Sequence, residues 1–147
     1  MKNSGTALRK AYYNKLAGAV IIRGAAVPVY AGIADINASK PYIVLTGQTA
    51  TDISGKDGWS DERTILVDIT TGSSEGISGE SESEDIAIQV CALIAPENYA
   101  NWPDAGPDFQ ITTLDKISEN DLVEKDDTEI VFRKLIRFRH QVHELNS

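Results

Sequence analysis

The sequence predicts an α+β fold: a largely antiparallel sheet of about five to six strands, covered by an N-terminal helix and by a second helix near residues 82–95. Three observations predict it. Segments 4–17 and 82–95 repeat apolar residues at spacings of three and four, the period of a helix. Segments 41–46, 64–69, 109–114 and 128–142 carry β-branched and aromatic residues, in runs or in alternation. The stretches between them are rich in Gly, Pro, Ser and Asp, the chemistry of connections.

Ser4 or Thr6 caps the first helix, where Leu8, Ala11, Tyr12 and Leu16 form one stripe and Arg9, Lys10 and Lys15 take the other side; it ends near Gly18. Val20-Ile21-Ile22 and Val27-Pro28-Val29-Tyr30, separated by Arg23-Gly24, read as a short hairpin, and Pro28 places its strand at an edge. Residues 31–40 are turn chemistry, and 41–46 are a central strand. Residues 47–61 read as a long polar loop anchored by Trp59. In 64–69, Ile65, Val67 and Ile69 share one face against Thr64, Leu66 and Asp68, which predicts antiparallel pairing with 41–46.

Residues 72–83 have the composition of a flexible linker. Ser81 with Glu84 is a capping-box pattern, and Glu82, Glu84 and Asp85 suit the positive end of a helix. Ile86, Val90, Leu93 and Ile94 form the buried stripe, Pro96 stops the helix, and Cys91 beside the stripe is a buried structural thiol. Three prolines make 96–108 a loop, with Tyr99 and Trp102 packing it onto the body. The strand opening at 109 is joined through a turn at 124–127 to a long closing strand at 128–142. There Ile130, Phe132, Ile136, Phe138 and Val142 share one face, and Arg133, Arg137 and Arg139 share the other with Val131 and Leu135.

At 147 residues the chain is expected to form a single domain. It has no apolar run of about 20 residues and no signal-peptide pattern at its start. One cysteine makes no internal disulfide, and two histidines are too few for a local zinc site, so no cofactor or metal is expected. The net charge of −8 opposes general adhesion to nucleic acid or to an anionic membrane. Residues 1–40 hold six basic groups and one acid, 41–126 hold four and eighteen, and 127–147 hold four and three. Two readings stay open: opposite charges meet across the fold or face water, or copies of the chain pair basic ends with acidic middles.

The sequence lacks a phosphate-binding G-x-x-x-x-G-K-[ST], a G-x-G-x-x-G, a G-x-S-x-G and an H-E-x-x-H, which removes the commonest motif-bearing enzyme classes. His140 and His143 fall on opposite faces of a strand, so they read as surface or interface side chains rather than metal ligands. Asp57, Asp61 and Glu62 lack the order of a calcium loop and read as solvated acids. Arg133, Arg137 and Arg139 are candidates for a subunit interface or for the lining of a passage for DNA. The acidic balance favours salt bridges to a neighbouring subunit. Lys56, Asp57, Trp59 and Asp61 form a candidate docking loop, and no residue is a catalytic candidate.

The element order resembles the tail completion, or tail terminator, proteins of tailed bacteriophages. The resemblance rests on the opening helix with Leu8 and Leu16, the Val-Pro-Val-Tyr run at 27–30, Pro41-Tyr42-Ile43-Val44-Leu45, the strand 64–69, the acid-started helix at 84–95 and Phe-Arg-Lys-Leu-Ile-Arg-Phe-Arg-His at 132–140. It implies a non-enzymatic structural protein of the virion, assembled in the host cytoplasm, that forms a ring, typically a hexamer, at the head-proximal end of the tail. Its implied partners are further copies of itself, the tail tube protein and the head–tail connector; DNA passes through without sequence-specific binding, and no membrane is involved. Segments 72–83 and 96–107 are longer than in that family. The alternatives are another neck ring, as a head-closure or short-tail adaptor subunit, and, more remotely, a small ligand-binding domain or enzyme.

Overall fold

The computed structural model describes residues 1–73, 78–125 and 128–145. Helix α1 (Gly5–Leu16) buries Leu8, Ala11, Tyr12 and Leu16, as its spacing predicts. Ser4 occupies the N-cap position but makes no side-chain cap bond. Its hydroxyl instead accepts from Arg63 Nε at 2.9 Å and donates to Asp61 at 3.4 Å, which ties the helix start to the sheet.

The hairpin is shorter than expected. Strands β1 (Ile21–Ile22) and β2 (Ala25–Ala26) pair across Arg23 and Gly24, both at positive φ, and one further bond, Val27 N–H to Val20 O, ends the ladder. Pro28 has no N–H to continue it. The chain therefore leaves the hairpin as β3 (Val29–Ala31), an edge strand parallel to β4 (Tyr42–Asp52), with the Pro28 carbonyl accepting from Ile43 N–H.

The polar loop expected at 47–61 contracts to 53–59, because β4 runs on to Asp52 and its partner β5 (Ser60–Ser73) begins at Ser60. A bulge between Thr46 and Thr49, where Gly47 has positive φ, bends β4 without ending it. Beyond it the ladder is carried by polar pairs such as the Thr49–Thr64 hydroxyl bond at 2.6 Å. Composition alone marks such residues as loop formers.

Helix α2 (Gly79–Ile94) starts three residues earlier than the 82–95 prediction. Of the segment expected as a linker, 72–73 close β5, 74–77 lie outside the described residues, and 79–83 are helical. The cap is Ser78, whose hydroxyl accepts from Ser81 N–H, so Ser81 is the capped residue and not the cap. The helix start is seated on β5: Thr71 Oγ1 donates to Gly79 O at 2.6 Å, and Ser73 Oγ accepts from Gly79 N–H at 2.9 Å. A Cβ on Gly79 would stand 2.9 Å from the backbone carbon of Gly72, so this approach requires glycine.

The segment 96–108 folds on itself. Tyr99 starts a 3-10 turn (Tyr99–Asn101) and packs edge-on against Trp102, whose Nε1–H donates to Pro96 O. Tyr99 stays exposed and does not reach the body, contrary to expectation.

Strands β6 (Phe109–Lys125) and β7 (Ile130–Glu144) complete a five-stranded sheet in the order β3-β4-β5-β7-β6, antiparallel except for β3 with β4. The expected turn at 124–127 begins later, since Glu124 and Lys125 still pair with β7 and 126–127 lie outside the described residues. Alpha-helical cover is uneven: α1 lies over β3 and β4, α2 over β5 and β7. Beneath them Ile43, Leu45, Ile65, Val67, Ile69, Ile136 and Phe138 are buried together with the helix stripes. This is the predicted α+β class. No helix among the described residues is long and apolar enough to cross a membrane.

Candidate functional site

Alternation along β7 places Arg133, Arg137 and Arg139 on the sheet face opposite the helices, as expected. Within the chain all three have partners. Arg133 donates to Asp68 through Nη2 at 2.5 Å and Nε at 3.4 Å, and to Glu124 at 3.4 Å. The hydrogen bond it makes to Asp68, itself almost buried, holds the guanidinium above its ordinary range. Arg137 Nη1 donates to Gly47 O at 2.8 Å and Thr64 Oγ1 at 2.9 Å, which fastens β7 to the bulge of β4. Arg139 meets Asp115, its cross-strand partner on β6, at 3.4 Å. The arginine face is thus largely neutralised from within.

Removing one member exposes what the pairing compensates. Arg133→Ala leaves Asp68 without its charged partner on a surface that retains little access to water, and is expected to cost about 1–3 kcal/mol. Urea unfolding of the variant beside Asp68→Asn and the double substitution reads the coupling directly.

Beside Arg133 the backbone of 32–35 stands off the sheet and leaves an open groove of about 560 Å³, lined by Tyr42, Val44, Asp68, Thr70, Val131 and Arg133. Its lining holds no cysteine, serine or histidine. Among the described residues no three His, Cys, Asp or Glu side chains gather as they would around a metal ion.

The candidate docking residues divide. Lys56, Asp57 and Trp59 lie in the 53–59 connection and are exposed. Trp59 holds that connection by its backbone, its carbonyl accepting from Glu144 N–H at 2.9 Å, while its ring is half exposed. Asp61 is not in the loop. It belongs to β5, where it receives Ser4 Oγ and pairs with Arg63 at 3.4 Å.

The two histidines take opposite faces, but His140 is not a surface residue: it is fully buried on the apolar side. Its Nδ1 stands 2.8 Å from Arg63 O, which assigns the proton to Nδ1 and leaves Nε2 to accept from Tyr12 OH at 2.5 Å. Burial pulls its pKa down to about 4 and raises that of Tyr12. His143 meets Ser60 Oγ at 2.8 Å. Cys91 is half buried against the core, and that burial pushes its thiol up, away from reactivity. On the same buried face Lys134 has lost most of its contact with water. That loss pulls its pKa down, but Asp121 at 2.7 Å, together with the charges of Glu119 and Glu84, outweighs it and holds the ammonium charged.

No protein-family model matches the chain, and no curated protein matches it. Among solved structures, a chain of the virion of a native gene transfer agent particle superposes with a TM-score of 0.65 at 17% sequence identity, covering 96% of this chain and 99% of that one. The chain shares its fold with a virion component.

Several exposed apolar residues went unnoticed in the sequence: Ile33 (83% exposed) and Ile36 (97%) in the segment after β3, and Ile88 (70%) on α2. Ile33 and Ile36 sit in turn chemistry where neither period applies, and that isolation was the available signal. Ile88 was hidden inside an apolar run that reads as core.

Proposed function

We propose that this chain, as a single tail-terminator-like domain, is a structural protein of a tailed-phage-like virion. Copies of it close into a ring, six-membered in the family it resembles, at the head-proximal end of the tail. There the ring ends growth of the tail tube and joins the tail to the head connector. The observation that carries this reading is a fold shared over nearly the whole length of both chains with a component of a virion particle.

The side chains suit that role. Arg133 and Arg139 face carboxylates of their own chain, so a lumen or interface built from this face would pass DNA without gripping its phosphates. Exposed Trp59, with Lys56 and Asp57 on a short connection, offers a point of contact for the tube below or the connector above.

Mass photometry and negative-stain microscopy of the purified chain test the proposal, with a discrete closed ring as the expected result. A solitary chain that turns over a metabolite overturns it. Particles assembled without this protein separate the two neck readings: overlong tails and unattached heads accompany loss of a terminator, whereas filled heads that leak DNA indicate a head-closure ring.

A further inference from the structure

Every arginine but one is met by an acceptor of its own fold. Arg23 faces Glu82, Arg63 faces Asp61, Arg133 faces Asp68, Arg139 faces Asp115, and Arg137 reaches the Gly47 carbonyl. Among the described residues Arg9 has neither an ion pair nor a hydrogen bond, although acids outnumber bases by 22 to 14 in the chain. It stands one turn beyond Gly5 on the same face of α1. Both border an open cleft of about 330 Å³ between the start of that helix and the bulge of β4, and Arg63 of β5 forms the far wall with Gln48.

Arg63 is held in place. Its side chain is 12% exposed, and Nε donates to Ser4 Oγ at 2.9 Å, Nη1 to Gln48 Oε1 at 3.1 Å and Nη2 to Asp61 Oδ2 at 3.4 Å. A guanidinium carries five N–H groups, so one on each Nη is left without an acceptor among the described residues. Asp61 is outside the cleft lining and offsets part of the Arg63 charge from behind. A Cβ on Gly5 would stand 2.9 Å from Arg63 Nη1, so glycine lets the helix start and this guanidinium approach. The other groups at hand do not compete for the two cations. Gln48 has its oxygen on Arg63 and its amide on Gly5 O, and Thr6 brings a hydroxyl with no partner of its own. No carboxylate lines this cleft. The crevice at the start of α2, the groove on the open sheet face, the notch at Trp59 and the crevice between α1 and 104–109 each contain Asp or Glu.

We infer that the cleft between Arg9 and Arg63 binds a phosphate group, with Arg63 fixed at the back and Arg9 closing on the anion from the helix. Two like charges border one cleft with no acid between them, and an anion that enters relieves their repulsion. A planar carboxylate matches a single guanidinium fork, whereas a phosphate has enough oxygens, spread in three dimensions, to accept from both forks and from the Thr6 hydroxyl. The guanidiniums, rather than the start of α1, supply the charge. The site is complete within one chain, so it goes beyond the ring reading and holds whether or not copies assemble. Two sources present this group, a free phosphate and the backbone of nucleic acid. The net charge of −8 keeps DNA off the rest of the surface, so a backbone would be held at this point and not along a stripe.

Phosphorus NMR line widths of inorganic phosphate, titrated with the protein at low ionic strength, test the site in a solitary chain or in an assembly. Saturable binding in the millimolar range is the expected result. Arg9→Gln loses no contact of the fold and is expected to weaken binding at least fivefold. Lys15→Gln removes the same charge from the same helix away from the cleft and is expected to leave binding within twofold. Fluorescence anisotropy of a short labelled DNA duplex, with the same variants, separates the sources. Duplex binding that phosphate displaces and Arg9→Gln weakens assigns the site to a nucleic-acid backbone; phosphate binding without duplex binding assigns it to the free anion. The proposal is overturned if neither probe binds saturably, or if Arg9→Gln and Lys15→Gln change binding equally, which is the mark of diffuse attraction to a basic helix.

Discussion

Between pH 7 and pH 4 the folded state is expected to lose about 3 kcal/mol through His140 alone. Burial holds its pKa at about 4 in the folded chain, below the ordinary 6.5 of the unfolded one. Between those values the unfolded chain binds the extra proton, so stability rises with pH across the window. The contribution is complete above about 6.5 and is lost as pH falls toward 4. About 2 kcal/mol of it is gone by pH 5, before most carboxylates titrate. The geometry explains why the cost is not avoided by reorientation. A proton on Nε2 would point at the Tyr12 hydroxyl, which must then turn its own proton away from the ring, its only hydrogen-bond partner among the described residues, while Nδ1 stays committed to Arg63 O. Urea midpoints at pH 7, 6 and 5 measure the slope, and His140→Gln, which keeps a polar group in place but cannot titrate, is expected to flatten it. A wild-type slope no steeper than that of the variant would show that His140 has access to water when folded.

Phe138→Ala is expected to destabilise the chain by about 3–5 kcal/mol. The ring is fully buried and lies 6.0 Å centre to centre from Tyr12, so its removal opens a cavity between β7 and α1. Against a total stability of about 5–15 kcal/mol that removes from about a fifth of the margin to nearly all of it. Ile88→Ala, on the exposed side of α2, is expected to stay within about 0.5 kcal/mol. Guanidinium unfolding of the two side by side checks both. Equal costs would mean that Ile88 is covered in solution.

Sheet faces and helix stripes were legible in the sequence because each follows one period. Ile65, Val67 and Ile69 alternate and are all buried; Leu8, Ala11, Tyr12 and Leu16 recur at helical spacing and are all buried. Boundaries were less legible wherever polar residues do the work of strands or caps. Thr49 and Thr64 extend a ladder through residues that look like a loop, and three serines near the start of α2 compete for one cap. The partner of β3 was invisible, since parallel pairing with β4 depends on Pro28 ending the hairpin and on a contact outside it. Within the candidate site, the side of β7 that carries the arginines was readable. Their partners were not, because Asp68, Asp115 and the Gly47 carbonyl arrive from three other strands. The burial of His140 was likewise set by Tyr12, far away in sequence.

That last separation sets a timetable for the ribosome. Tyr12 and His140 are 128 residues apart, so the first helix emerges long before the strand that holds it has been made. At ~5–20 residues per second the wait is roughly 6–25 s. During it α1 has β3 and β4 to lie against but not the strand that receives Tyr12, and short helices of this kind are marginal on their own. The contact between Tyr12 and His140 therefore joins one of the earliest elements made to one of the latest.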